Sequence, residues 1–163
     1  MLVKAFTQAN ISNLKLVLCG DGDYADKLRE IAAEQDSIQY LGVVPHDQVL
    51  ALEVEAELLV DPRPSNMIVS KMSFPSKIIE YMASGTPVLT TNLPCYADEY
   101  RRYQYRIEED NVSGIKDALQ HVFAIPETER IALGRAAKTF IYKSKTMHMQ
   151  CGKIMGLIDE VSG

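Results

Sequence analysis

Short apolar runs alternate along this chain with amphipathic stretches of helical length, the pattern of a parallel sheet whose faces are covered by helices. Leu14 to Cys19 (LKLVLC) reads as a buried strand stopped by Gly20, and Tyr24 to Gln35 as a helix with Leu28, Ile31 and Ala32 on one face. Ile38 to Leu41 is the next strand. His46 to about Ala56 is a helix, and Leu58 to Val60 a strand that stops before Pro62. After a long loop from Asp61 to Ser73, Pro75 to Ala83 (PSKIIEYMA) reads as a helix with proline in its first turn and Gly85 just past its end. Pro87 then leads into the strand Val88 to Thr90. Beyond Tyr100 come a short Tyr-rich strand, 103–107, and helices near 112–124, 127–142 and 146–161, which read as packing elements. The predicted class is α/β, a Rossmann-like open parallel sheet flanked by helices.

The chain opens on Leu2, Val3 and Phe6 at helical spacing, a helix without the strand that should precede it in an alternating fold. In the Rossmann order that strand sits centrally, between Leu14–Cys19 and Leu58–Val60. Its absence predicts a gap, a rearranged pairing or a neighbouring chain filling the place.

Composition narrows the possibilities. With 163 residues, 47% of them hydrophobic, the chain has room for one sizeable core, so residues 1–163 read as a single domain without an internal boundary. A formal net charge of -5 gives no general attraction to nucleic acid or anionic lipid, and any anion must be held by a local site. Cys19, Cys95 and Cys151 are too widely spaced for a zinc site or a disulfide framework, which fits a cytoplasmic protein. No run approaches the roughly 18 apolar residues of a membrane span, although peripheral membrane association stays open.

Ligands of open parallel sheets bind beyond the carboxyl ends of the strands. The loops to consider are therefore 20–23, 42–45, 61–73 and 91–94. Gly20-Asp21-Gly22 has the look of a dinucleotide loop, but Asp21, Asp23 and Asp26 crowd the place a pyrophosphate would take, so a tight turn is the better reading. Ser73-Phe74-Pro75-Ser76-Lys77 offers a helix N-terminus, two hydroxyls and a cation, an anion site in outline; the same residues also describe a Ser-capped helix with a solvated lysine. Glu80, about one turn further on, can accept two ribose hydroxyls or simply face solvent. His46, His121 and His148 read as surface residues, and Asp98-Glu99 as an exposed acidic loop. The apolar positions from Met147 to Ile158 read as packing for the last helix.

The stretch Phe74 to Thr91 (FPSKIIEYMASGTPVLTT) resembles the nucleotide-sugar-binding signature of family 4 glycosyltransferases, in a subgroup carrying S-F-P-S-K. Leu16 to Gly22, Tyr40 to Pro45 and Ala56 to Arg63 match further blocks in family order and spacing, so the resemblance covers about residues 2–163. It implies the donor-binding half of a retaining, two-domain GT-B enzyme without an obligatory metal or cofactor. The substrate would be a nucleoside diphosphate sugar, UDP- or GDP-linked, and the acceptor-binding N-terminal domain is absent. The resemblance places Gly42 and Val43 by the base, Glu80 on the ribose, and Ser73, Phe74, Ser76 and Lys77 around the diphosphate. Two departures stand out. Met72 replaces the first glutamate of the usual E-x7-E pair, leaving Arg63, Ser65 and Lys71 as substitutes, and the family's Gly-Arg and Lys that neutralise the diphosphate are missing with the first strand. Both departures favour an alternative, a noncatalytic nucleotide-binding or assembly module. A flavodoxin-like receiver, which needs an acidic cluster and a phosphorylatable aspartate at strand ends, does not suit the four-glycine loop pattern and the extra C-terminal helices.

Overall fold

The structure, a computed structural model, describes residues 1–74 and 76–162, apart from the side chains of residues 69, 71, 153 and 162. Pro75 and the Lys71 side chain, both singled out above, lie outside the described residues. The chain runs α1 (Leu2–Ala9), β1 (Leu16–Leu18), α2 (Ala25–Glu34), β2 (Ile38–Tyr40), α3 (His46–Glu55), β3 (Leu59–Asp61), α4 (Ile68–Met72), α5 (Ser76–Ser84), β4 (Val88–Thr91), α6 (Asp98–Arg101), β5 (Tyr105–Ile107), α7 (Val112–Ala124), α8 (Glu127–Ser144) and α9 (Met147–Ser162). The expected elements are present with shorter strands. Two short helices were not expected: α4 inside the long loop, and α6, which replaces the acidic loop at Asp98-Glu99 because Lys145 pairs with Glu99 and Arg101 lies 3.5 Å from Asp98.

All strand pairs are parallel. They form two separate sheets, β1-β2 and β3-β4-β5, with Leu16 opposite Ile38, Leu59 opposite Val88 and Thr90 opposite Arg106. β4 is central to the larger sheet and buried throughout, so its residues, Val88, Leu89, Thr90 and Thr91, show no alternation of apolar and polar character. On one face Ile78 and Met82 of α5 join Ala137 and Ile141 of α8 and the rings of Tyr96 and Tyr100. On the other, Ala5 and Ala9 of α1 meet Ile115, Leu119 and Val122 of α7 over Leu89 and Ile107.

Among the described residues no strand joins β1 to β3, and the place of the missing strand is a gap. Leu16 donates its amide to Ser37, Leu18 accepts from Leu41, and Leu59 donates to Pro87, all on the outer sides of the two edges. Because successive residues of a parallel strand hydrogen-bond to opposite sides, the amide and carbonyl of Val17 and Val60 face the gap. The resulting groove measures about 750 Å³, lined by Leu16, Val17 and Leu18 on one side and Leu59 and Val60 on the other. Backbone pairing is a strong demand on any buried edge, and here both edges are left open.

The last helix departs from expectation. Its apolar residues do not pack: Met147 is 84% exposed, and Ile154, Met155, Leu157, Ile158 and Val161 are exposed as well. A single helix packed along only part of its length buries one stripe at most, and α9 touches the rest of the fold chiefly through α8.

Candidate functional site

The first residue of α3 and the first turns of α5 meet around one small cleft of about 370 Å³, lined by His46, Ser76, Lys77 and Glu80. Three of these residues come from α5, whose first backbone amides have no partner inside the helix. Ser76 opens the helix and Ser73 precedes it, both exposed. Phe74 takes a different role: its ring packs 5.6 Å from that of Tyr96 and 4.8 Å from that of Tyr100, anchoring the turn to the core while its backbone stays in the approach to α5.

Glu80 is accessible, with its side chain 30% exposed. Lys77 Nζ lies 3.2 Å from Glu80 Oε1 and 3.5 Å from Glu53 Oε1, and it stands over the Tyr81 ring at 5.3 Å from the centroid. Burial pushes the Tyr81 hydroxyl up to about 12, so it stays protonated at neutral pH. One ammonium thus serves two carboxylates. Glu53, on α3, escaped the sequence reading because a glutamate in an exposed-looking helix carries no signal of burial.

His46 is a surface residue at a helix start, as expected, with its side chain 71% exposed; its imidazole Nε2 also lies 3.8 Å from Glu80 Oε2, so it borders the cleft. The turn that precedes it makes this possible: Gly42 adopts φ +65°, the left-handed region suited to glycine, and its carbonyl accepts the Gly20 amide at 2.7 Å. Val43 at the crest of this turn is 76% exposed. His121 and His148 are exposed and remote in sequence from these elements.

The Gly20-Asp21-Gly22 segment is a local turn. Its amides are already engaged, Gly20 with Gly42 and Gly22 with the Asp21 carboxylate at 2.9 Å, which leaves little for a pyrophosphate. The long loop holds Arg63, 3.9 Å from Asp61, and neither residue lines the cleft at α5. Burial raises the Asp61 carboxyl, opposed by the charges of Arg63 and Lys77. Ser65 is held toward Asp110, its amide and hydroxyl both donating to Asp110 Oδ2 at 2.6 and 2.8 Å, and it does not line the cleft at α5. Those two bonds hold the Asp110 carboxyl below its ordinary range. Met72 stands 82% exposed at the end of α4.

Parallel sheets covered by helices on both faces, with a polar cleft at a helix N-terminus, define the class as a Rossmann-like α/β protein. The family model described as "Glycosyl transferases group 1" matches residues 1–145. The chain belongs to that family. In solved structures, a glycosyltransferase from Rickettsia africae is similar over 98% of this chain and 43% of its own, at 18% identity and a TM-score of 0.77. Sucrose-phosphate synthase from Thermosynechococcus elongatus is similar over 98% and 42%, at 16% identity and 0.73. A pneumococcal O-GlcNAc transferase, solved in complex with UDP and GlcNAc, is similar over 98% and 32%, at 22% identity and 0.65. The chain therefore spans less than half the length of these structures, and the likeness shows a GT-B glycosyltransferase fold. None of the curated proteins compared with the chain matches it. Among the described residues no helix is long and apolar enough to cross a membrane, and no cluster of ligating side chains could hold a metal ion.

Proposed function

We propose that this chain is the donor-binding part of a retaining glycosyltransferase of family 4, S-F-P-S-K subgroup, that moves a hexosyl group from a UDP- or GDP-linked sugar to an acceptor hydroxyl. The observation that carries the reading is the convergence of Glu80, Lys77 and Ser76 on one open cleft at the N-terminus of α5. In this reading Glu80 accepts hydroxyls of the ribose, and Gly42 and Val43 lie by the base. The backbone from Ser73 through Phe74 to Ser76, with the Lys77 ammonium, faces the diphosphate. Negative charge grows on the diphosphate as its bond to the sugar lengthens, and helix-terminal amides with a nearby cation favour that charge where it develops. Arg63, in the long loop outside the lining of the cleft, is the further cation this reading assigns to the phosphates. Catalysis needs an acceptor-binding domain and a first strand between β1 and β3, both supplied by another stretch of polypeptide. The enzyme would work in the cytoplasm in polysaccharide assembly, with peripheral attachment to a membrane, no nucleic-acid partner and no cofactor.

Calorimetry with UDP and GDP tests the reading: residues 1–163 should bind one of them weakly and transfer no sugar, and a polypeptide that includes the acceptor domain should bind it more tightly. Failure of that longer protein to bind any nucleotide removes the proposal. A noncatalytic nucleotide-binding or assembly module is the second reading, favoured by Met72 where a sugar-contacting glutamate is usual. It predicts nucleotide binding without sugar transfer or donor hydrolysis even in the longer protein.

A further inference from the structure

Among the described residues, Glu53 is a buried carboxylate in poor surroundings. It is 4% exposed, and both of its carboxylate oxygens are buried without a hydrogen-bond partner among the described residues. The backbone that carries it is held in place, because α3 is packed on α5 and the Glu53 main-chain carbonyl accepts a buried hydrogen bond from the Thr86 hydroxyl at 2.6 Å. The groups that face it are Lys77, Glu80 and Tyr81 from α5; Asp61 at the end of β3 and Cys19 after β1 neighbour Tyr81, and His46 neighbours Glu80. Of these, Lys77 alone approaches Glu53 as a cation, at 3.5 Å, and it is nearer to Glu80.

Two ionised carboxylates accept hydrogen bonds and donate none, so side by side they repel and leave their oxygens orphaned. One proton removes both penalties. We propose that Glu53 is a positioning residue of the cleft: it carries a proton at neutral pH, donates it as a hydrogen bond to Glu80, and thereby holds the Glu80 carboxylate in place for a ligand's hydroxyl groups. The trio then has a balanced charge, with Lys77 positive, Glu80 negative and Glu53 neutral. Burial, followed by the Glu80 charge, pushes the Glu53 carboxyl above its ordinary 4.5, in the direction this arrangement requires. The ligand part of the inference rests on the proposed role of Glu80; the shared proton does not.

Carboxyl carbon NMR on the 163-residue chain tests the proton directly. Glu53 should hold its proton above its ordinary 4.5, and E80Q should lower the pH at which it ionises. A Glu53 that ionises at or below its ordinary value, or that ignores E80Q, overturns the proposal. Binding of UDP and GDP at several pH values tests positioning. Wild type should weaken about tenfold as Glu53 ionises, because a second negative charge then adjoins Glu80. E53Q, which keeps a donor but cannot ionise, should bind without that pH dependence, whereas E53M, of similar length and without a donor, should bind more weakly throughout. Equal behaviour of E53Q and E53M would end the positioning role. If no nucleotide binds the longer protein either, the proposed function fails and the NMR titration still decides the shared proton.

Discussion

Gly134 on α8 lies directly against the carbonyl of Gly85, the residue that turns the chain from α5 toward β4. A Cβ on Gly134 would overlap that carbonyl oxygen and come within 2.9 Å of the Pro87 nitrogen. Gly85 has φ +90°, so this turn cannot relax into an ordinary helical conformation. The contact fixes the far end of the helix whose near end carries Lys77 and Glu80.

Gly134→Ala should therefore destabilise the fold by about 2–3 kcal/mol, the usual cost of forcing extra volume against backbone. Urea unfolding of the two proteins measures it. A midpoint equal to wild type would mean that α8 can move off the turn freely.

Replacement of Glu80 separates the ligand role from a solvent-facing one. Glu80→Ala should weaken UDP or GDP binding by roughly 10- to 100-fold, the loss of charge-assisted hydrogen bonds to two hydroxyls. Its effect on stability should be small, because the side chain is partly exposed. Calorimetry beside thermal melting distinguishes the outcomes, and unchanged affinity would remove Glu80 from the site.

The open edges make a prediction about exchange. The amides of Val17 and Val60 point into the gap, so in the 163-residue chain they should exchange with solvent deuterium far faster than those of Leu59 and Leu16, which are bonded to Pro87 and Ser37. In a longer polypeptide that supplies the central strand they should become protected. Slow exchange of Val17 and Val60 in the short chain would show that the gap closes in solution.

Asp61 is a source of pH dependence. Its carboxyl is raised above the ordinary 3.8 by burial, and one of its oxygens lacks a hydrogen bond among the described residues. The stability tied to its proton is fully present below 3.8 and is lost as pH rises through the raised native value. Asp61→Asn should accordingly be more stable than wild type at pH 8, by about 1 kcal/mol, and the advantage should vanish at low pH. Denaturation across that range checks the sign.

Much of this protein was legible from its residues. The alternation of short apolar runs with helical-period stretches located the strands, because a buried parallel strand must be apolar on both faces and its covering helices on one. The spacing of Leu2, Val3 and Phe6 gave a helix at residues 2–9 and left a gap, a rearranged pairing or a neighbouring chain open between β1 and β3; the structure shows the gap. The block from Phe74 to Thr91 carried the family resemblance. Tertiary structure alone decided which charges meet. His46 and Glu53 lie on α3, more than twenty residues from α5, and only the packing of those helices brings one to the rim of the cleft beside Glu80 and buries the other beneath Lys77. It also left the apolar positions of α9 uncovered, since a periodic stripe shows that a helix has an apolar face but not whether another surface lies against it. Burial and pairing depend on distances between segments remote in sequence, and local pattern contains no measure of those distances.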